Sequence, residues 1–256
     1  MDLSVSDHVL VGLAAAGAGI VNAVAGGGTL ITFPTLVALG VPSVRSNVTN
    51  TVALCPGYFG GTYAQRGDLV GQNRRLRSLA LAAAVGGLVG SILLVITSEK
   101  VFKNVVPYLL LVACALLAFQ DRIRRMLPER PPHPDAVDPP VPPLLVVAVG
   151  LSAVYGGYFG AGLGIITLAT LGILLDERIS RLNAIKQAIS FVTNVVAALF
   201  FVFSGKVVWS LALVMAPASL LGGSLGGRLA SHLDARVLRG VVVTIGVIVA
   251  VKYLLD

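Results

Sequence analysis

Residues Val9 to Val44 carry no charged side chain over 36 consecutive positions. One straight helix of that length would run about 54 Å at 1.5 Å per residue, against a bilayer hydrocarbon core of about 30 Å. The run has to fold back on itself. Its interior shows where: Val21–Leu36 reads VNAVAGGGTLITFPTL, with three consecutive glycines, a polar Asn22 and Pro34 in otherwise apolar sequence. Inside a helix a glycine costs about 1 kcal/mol and a proline about 3 kcal/mol. The segment therefore reads as a helix interrupted at Gly26-Gly27-Gly28, flanked by short helices over roughly Val9–Ala25 and Thr29–Leu39. Two crossings and a re-entrant hairpin are both compatible with this pattern.

The feature returns. Leu144–Leu175 is a second uncharged run, of 32 residues, and contains YGGYFGAGLGIITLAT over Tyr155–Thr170. At an offset of 134, Gly26 falls on Gly160, Gly28 on Gly162 and Ile31 on Ile165. At an offset of 136, Arg45 and Asn47 fall on Arg181 and Asn183, and Gly86, Gly87 and Gly90 fall on Gly222, Gly223 and Gly226. The chain reads as a duplication: residues 1–120 and 144–256 are transmembrane repeats, joined by residues 121–143. That joint holds eight prolines and reads as an extended, semi-rigid cytoplasmic linker. Interrupted apolar segments at corresponding places in two halves point to a transporter's binding site.

Composition settles the class. The chain is 56% hydrophobic and 12% charged, with a mean hydropathy of +0.89, whereas soluble domains run about 25% charged. The expected fold is an all-α integral membrane protein with two inverted-topology repeats. Each repeat has a glycine-broken helix pair or hairpin plus three transmembrane helices. The crossings are expected at Ser46–Gln65, Ser78–Thr97 and Asn104–Gln120, then Gln187–Gly205, Val207–Gly227 and Gly240–Leu255. The net charge of +7 reports orientation on such a protein, not nucleic-acid binding. If the halves are inverted, the 19 basic residues divide as 14 on one side and 5 on the other; parallel halves would give 9 and 10. Basic residues collect on the cytoplasmic side. The inverted arrangement follows, with both termini outside the cytoplasm of a multi-pass cell (inner) membrane protein.

An interrupted helix aims unpaired N–H groups and a positive dipole end into its surroundings, and glycine lets an anion come close. Candidate substrate-binding residues in the first break are Asn22, Gly26, Gly27, Gly28 and Thr29. In the second they are Tyr155, Tyr158, Gly160 and Gly162. The helices that follow add Asn47, Asn50 and Thr51 in one half, and Asn183, Lys186 and Gln187 in the other. Plainer roles compete. Asn47 and Asn183 suit helix caps, the tyrosines suit interfacial anchors, and Lys186 suits the membrane surface as well as a solute's counter-charge. Gly86, Gly90, Gly222 and Gly226 read as close-packing positions. No Asp or Glu falls deep in the expected spans, which fits anion better than cation handling. The expected partners are a small anionic substrate and the lipid bilayer, not nucleic acid; a homodimer is compatible with this reading. Cys55 and Cys114 lie in apolar runs without metal or disulfide spacing. No catalytic constellation, metal site, cofactor motif or ATPase P-loop is present in the sequence.

These residues resemble the TauE/SafE (TSUP) family of sulfite and organosulfur anion transporters. The resemblance rests on Asn22–Gly28, Pro34 with Gly40-Val41-Pro42, the polar helix start at Asn47–Thr51, and Gly67-Asp68. A degenerate second copy runs through Gly157–Gly164, Asn183–Gln187 and Gly205-Lys206. Where family members often have Ala-x-Gly-Thr, this chain has Ser46-Asn47-Val48-Thr49-Asn50-Thr51. The resemblance implies a secondary transporter of a small sulfur-containing anion such as sulfite, thiosulfate or sulfoacetate. The rival readings are a carrier or pore for another small organic anion, a structural membrane subunit, and a membrane-embedded sulfur-chemistry enzyme or assembly factor that uses Cys55.

Overall fold

The computed structural model describes residues 4–24, 26–126, 141–229 and 235–255. Those residues are mostly helical, with no strand among them. The first half comprises α1 (Val5–Val24), α2 (Thr29–Ala38), α3 (Ser43–Ala64), a 3₁₀ turn (Arg66–Leu69), α4 (Asn73–Ile96), α5 (Glu99–Ala118) and the short α6 (Gln120–Met126). The second comprises α7 (Pro143–Tyr158), α8 (Leu163–Leu174), α9 (Ile179–Val202), α10 (Trp209–Leu229) and α11 (Ala235–Leu255). Both breaks fall where expected, between α1 and α2 and between α7 and α8.

Among the described residues, five helices have both the length and the apolarity to cross a membrane: α1, α4, α5, α9 and α10. The partition of side chains matches a lipid solvent. Large apolar residues such as Leu81 (68% exposed) and Leu221 (64%) face outward, while Asn47, Asn50, Arg75, Lys186 and Gln187 are buried. With no water to satisfy them in hydrocarbon, polar side chains turn toward protein. α3 shows this most strongly: Ser46, Asn47, Thr49, Asn50 and Thr51 are all buried on it.

The small-residue faces bring backbones together, as expected. A Cβ on Gly222 would strike the Ala16 carbonyl and one on Gly226 the backbone of Ile20, so α10 lies against α1. A Cβ on Gly86 would strike the Gly150 carbonyl and one on Gly90 the Val154 carbonyl, so α4 lies against α7. Each half thus packs its first helix on the other half.

These contacts also give helix direction. Rising positions on α1 meet rising positions on α10, and α3 follows the same course, with Gly57 at Ser219 and Gly60 at Ser224. α4 runs with α7, and with α9 through Arg75–Glu177 and Gly87–Thr193. α9 runs against α3: Asn183 bonds Gln65, and Thr62 bonds the Gln187 carbonyl. So α1, α3 and α10 share one direction, and α4, α7 and α9 the opposite one.

Several boundaries differ from the sequence expectation, with α5 starting at Glu99 instead of Asn104 and α11 at Ala235 instead of Gly240. The linker is not extended over its first residues, because Gln120–Met126 continues as helix; the rest of it, 127–140, lies outside the described residues. α4 starts at Asn73, so Arg74, Arg75 and Arg77 are helical instead of forming a loop. α9 starts at Ile179, not at Gln187, which places Asn183 and Lys186 inside it. In both helices the charged first turns sit where neighbouring protein holds their charge: Glu177 takes Arg75 at 3.0 Å and Arg181 at 3.2 Å.

Candidate functional site

At the first break, α1 ends and the chain turns through Gly26, whose φ of +74° is strained for any side-chain-bearing residue. Asn22, 4% exposed, closes the turn. Its Oδ1 accepts the N–H groups of Gly27 at 3.1 Å and Gly28 at 2.7 Å. The orphan donors expected at the start of α2 are therefore held from within at these two positions. Gly28 itself packs so closely on Ala18 that a Cβ would strike its carbonyl.

The second break is built differently. Gly162 caps α8 with φ +80°, and no side chain takes Asn22's place. Among the described residues, the N–H groups of Ala161, Gly162 and Gly164 make no hydrogen bond. The Tyr155 hydroxyl donates to the Ala161 carbonyl at 2.6 Å, which fixes the break and commits that hydroxyl. Tyr158 contributes its carbonyl, which accepts from Asn47 Nδ2 at 2.8 Å, while its ring packs on Phe102.

The two breaks meet. A Cβ built on Gly164 would lie 3.6 Å from Gly26 Cα and 3.5 Å from Lys186 Cδ. Lys186 is 2% exposed and stands two turns into α9. Its alkyl stem runs past Gly164 at the place where the broken helices abut. In the first half, Asn50 occupies the equivalent position. Its Oδ1 accepts from the Thr32 hydroxyl in a short bond, and its Nδ2 donates to Thr29 Oγ1 at 3.2 Å. Asn50 thus pins α2, while its counterpart Lys186 lines the α8 break with a cation.

Of the expected residues, Asn22, Gly26, Gly27, Gly28, Thr29, Asn50, Gly160, Gly162 and Lys186 gather at the breaks, with Asn47, Tyr155 and Tyr158 at their edge. Thr51 donates to the Asn47 carbonyl within its own helix. Asn183 lies elsewhere: it donates to Gln65 Oε1 at 2.7 Å at the end of α3. Gln187 faces Gly61, where a Cβ would strike its Nε2. Thr32, Gly164 and Thr167 belong to the same region. Thr167 is fully buried, and its hydroxyl has no partner among the described residues. It stands one turn beyond Gly164 on the same face of α8. Thr32 was legible as the i+3 partner of Thr29. Among the described residues there is no group of acidic, His or Cys side chains suited to a metal, and Cys55 is half-buried on α3.

A helical protein with several membrane-crossing segments, two short broken helices abutting in its interior and a buried lysine at their junction has the build of a membrane transporter. The chain belongs to the sulfite exporter TauE/SafE family, whose family model matches residues 11–253. It is 30% identical over 250 residues to the probable membrane transporter protein ORF9 of Sinorhizobium sp, covering 93% of this chain and 89% of that one. It is 27% identical over 248 residues to the probable membrane transporter protein YfcA of Escherichia coli K12, covering 93% and 86%. It is 24% identical over 249 residues to a probable membrane transporter protein of Haemophilus influenzae, covering 93% and 91%. No solved structure matches it. The chain is a multi-pass membrane transporter of this family.

Proposed function

We propose that the transporter carries a small sulfur-containing oxyanion or sulfonate, such as sulfite, thiosulfate or sulfoacetate, and binds it at the junction of the two breaks. The observation that carries this reading is the approach of Gly26 and Gly164 beside buried Lys186. A cation held in low dielectric attracts an anion far more strongly than one in water. The N–H groups of Ala161, Gly162 and Gly164 and the Thr167 hydroxyl supply donors of the kind an oxyanion accepts. The family's description as a sulfite exporter supports the choice among anions.

The opposed helix directions support an inverted pair of repeats that alternate access around the junction. In this reading the arginine-rich end, with Arg66, Arg74, Arg77 and Arg178, faces the cytoplasm. Both termini then lie on the far side of the cell membrane.

Thermal unfolding of purified protein with sulfite, sulfate, thiosulfate, taurine, sulfoacetate and simple carboxylates tests the substrate. A ligand present at 100 times its Kd stabilises by about 2.7 kcal/mol. The expected result is a selective upward shift with a sulfur oxyanion or sulfonate, abolished in Lys186→Gln and kept in part in Lys186→Arg. A shift from carboxylates alone would transfer the reading to another organic anion, and no shift from any anion would overturn it.

A further inference from the structure

The seam between α3 and α9 is polar in one half and apolar in the other. Its register is antiparallel: Gln65 meets Asn183, Thr62 meets Gln187, Phe59 meets Phe191, and Tyr58 faces Asn194. Under the 136-residue offset between the repeats, Tyr58 and Asn194 are each other's counterparts, so this pair divides the seam. On the arginine-rich side lie Thr62, Gln65, Asn183, Gln187 and Ser190. Carrying the register to the other side sets Leu54 opposite Ala197 and Ala198, and Thr51, whose hydroxyl is spent on the Asn47 carbonyl of its own helix, opposite Phe201. Leu54, Ala197 and Phe201 there belong to one buried apolar cluster.

The polar half holds groups that the fold leaves unanswered. Gln187 is 1% exposed, and neither its Nε2 nor its Oε1 has a hydrogen-bond partner among the described residues. Ser190, also 1% exposed, has none for its hydroxyl. Each such group costs about 1–3 kcal/mol when buried unpaired, and native proteins rarely keep them without a ligand or water to serve. They stand at i and i+3 on one face of α9. Gly61 opposite them admits the amide, since a Cβ there would strike Nε2.

We propose that the α3–α9 seam is the solute's path between the arginine-rich face and the broken-helix junction, with Gln187 and Ser190 as its hydrogen-bonding steps. The apolar half beyond Tyr58 and Asn194 is the barrier in this conformation. The chemistry of the path suits a small hydrated anion that exchanges water for an amide and a hydroxyl. This deepens the proposed anion transport and rests on it for the identity of the solute only.

The test is thiol labelling in membrane vesicles of both orientations, with a membrane-impermeant methanethiosulfonate, in a Cys55→Ser, Cys114→Ser background. Arg77→Cys, exposed on the arginine-rich face, marks orientation. Ser190→Cys is expected to react from that face and to be slowed several-fold by sulfoacetate. Ala198→Cys is expected to react at least tenfold more slowly from the same face. Gln187→Cys gives the same reading if Ser190→Cys does not accumulate. Ser190→Cys reacting from that face no faster than Ala198→Cys would overturn the path, even if anions stabilise the protein. Fast labelling without protection by any tested anion would uphold the path and count against the anion.

Discussion

Asn22 does for the first break what no residue does for the second. Its carboxamide oxygen takes two backbone N–H groups at the start of α2. Asn22→Leu strands both, at about 1–3 kcal/mol each. The expected result is a clear drop in the thermal unfolding midpoint, while Asn22→Asp, which keeps the acceptor, loses less. Lys186, the counterpart of Asn50, lies beside the second break and answers to a different demand. Its sequence neighbourhood, with Arg178 and Arg181 just before it, reads as a charged connector. A hydropathy pattern records that charges are close in sequence and not that two helical turns separate them in depth. Its burial beside Gly164 was therefore not legible, although the break itself was. The same limit applies to Gln187 and Asn183: helical spacing groups them with Lys186, yet they face α3, because spacing fixes which residues share a face and not which neighbour that face meets.

Among the elements, the glycine-lined helices separate two uses of one residue. Gly222 on α10 and Gly90 on α4 touch a neighbouring carbonyl so closely that no Cβ fits. Gly17 on α1 has nothing within 4 Å of its Cβ position. Gly222→Ala and Gly90→Ala should each lose stability by roughly the 1–3 kcal/mol of an overpacked core. Gly17→Ala should gain about 0.5–1 kcal/mol, because alanine is the better helix former. Unfolding in detergent, followed for all three, distinguishes packing glycines from incidental ones. That Gly86, Gly90, Gly222 and Gly226 serve packing was readable from their recurrence in apolar helices, since small-residue faces have few other uses in lipid. The start of α4 was not: Arg75 is buried because Glu177, in the other half of the chain, meets it, and no local pattern announces a partner so distant.

At the scale of the whole molecule, the two halves are locked by exchanged helices, α1 on α10 and α7 on α4. An ion-pair cluster, Arg75–Glu177–Arg181, closes one end of the assembly, and Arg181 also donates to the Val70 carbonyl at 2.9 Å. Glu177→Gln removes the shared carboxylate from two guanidinium groups. Breaking a buried pair in this way costs about 3–5 kcal/mol. Gln72, which accepts from Arg75 at 2.7 Å, sets the expectation at the lower end, near 3 kcal/mol in thermal or chemical unfolding. The two breaks were visible in the sequence because each half must fit an overlong apolar run to a bilayer. The two halves differ at the breaks: Asn50 bonds Thr29 and Thr32 in one, and Lys186 is buried beside Gly164 in the other, a difference that appears only once the two breaks are seen to meet.

The most direct measurement is flux. Purified protein in liposomes, loaded with unlabelled sulfite or sulfoacetate and diluted into the ³⁵S-labelled anion, would report counterflow. The wild type is expected to show saturable accumulation of label, at least tenfold weaker in Lys186→Gln, with simple carboxylates competing poorly. Equal counterflow by Lys186→Gln, or none by a well-folded wild type with any of these anions, would contradict a sulfur-anion site at the junction of the breaks.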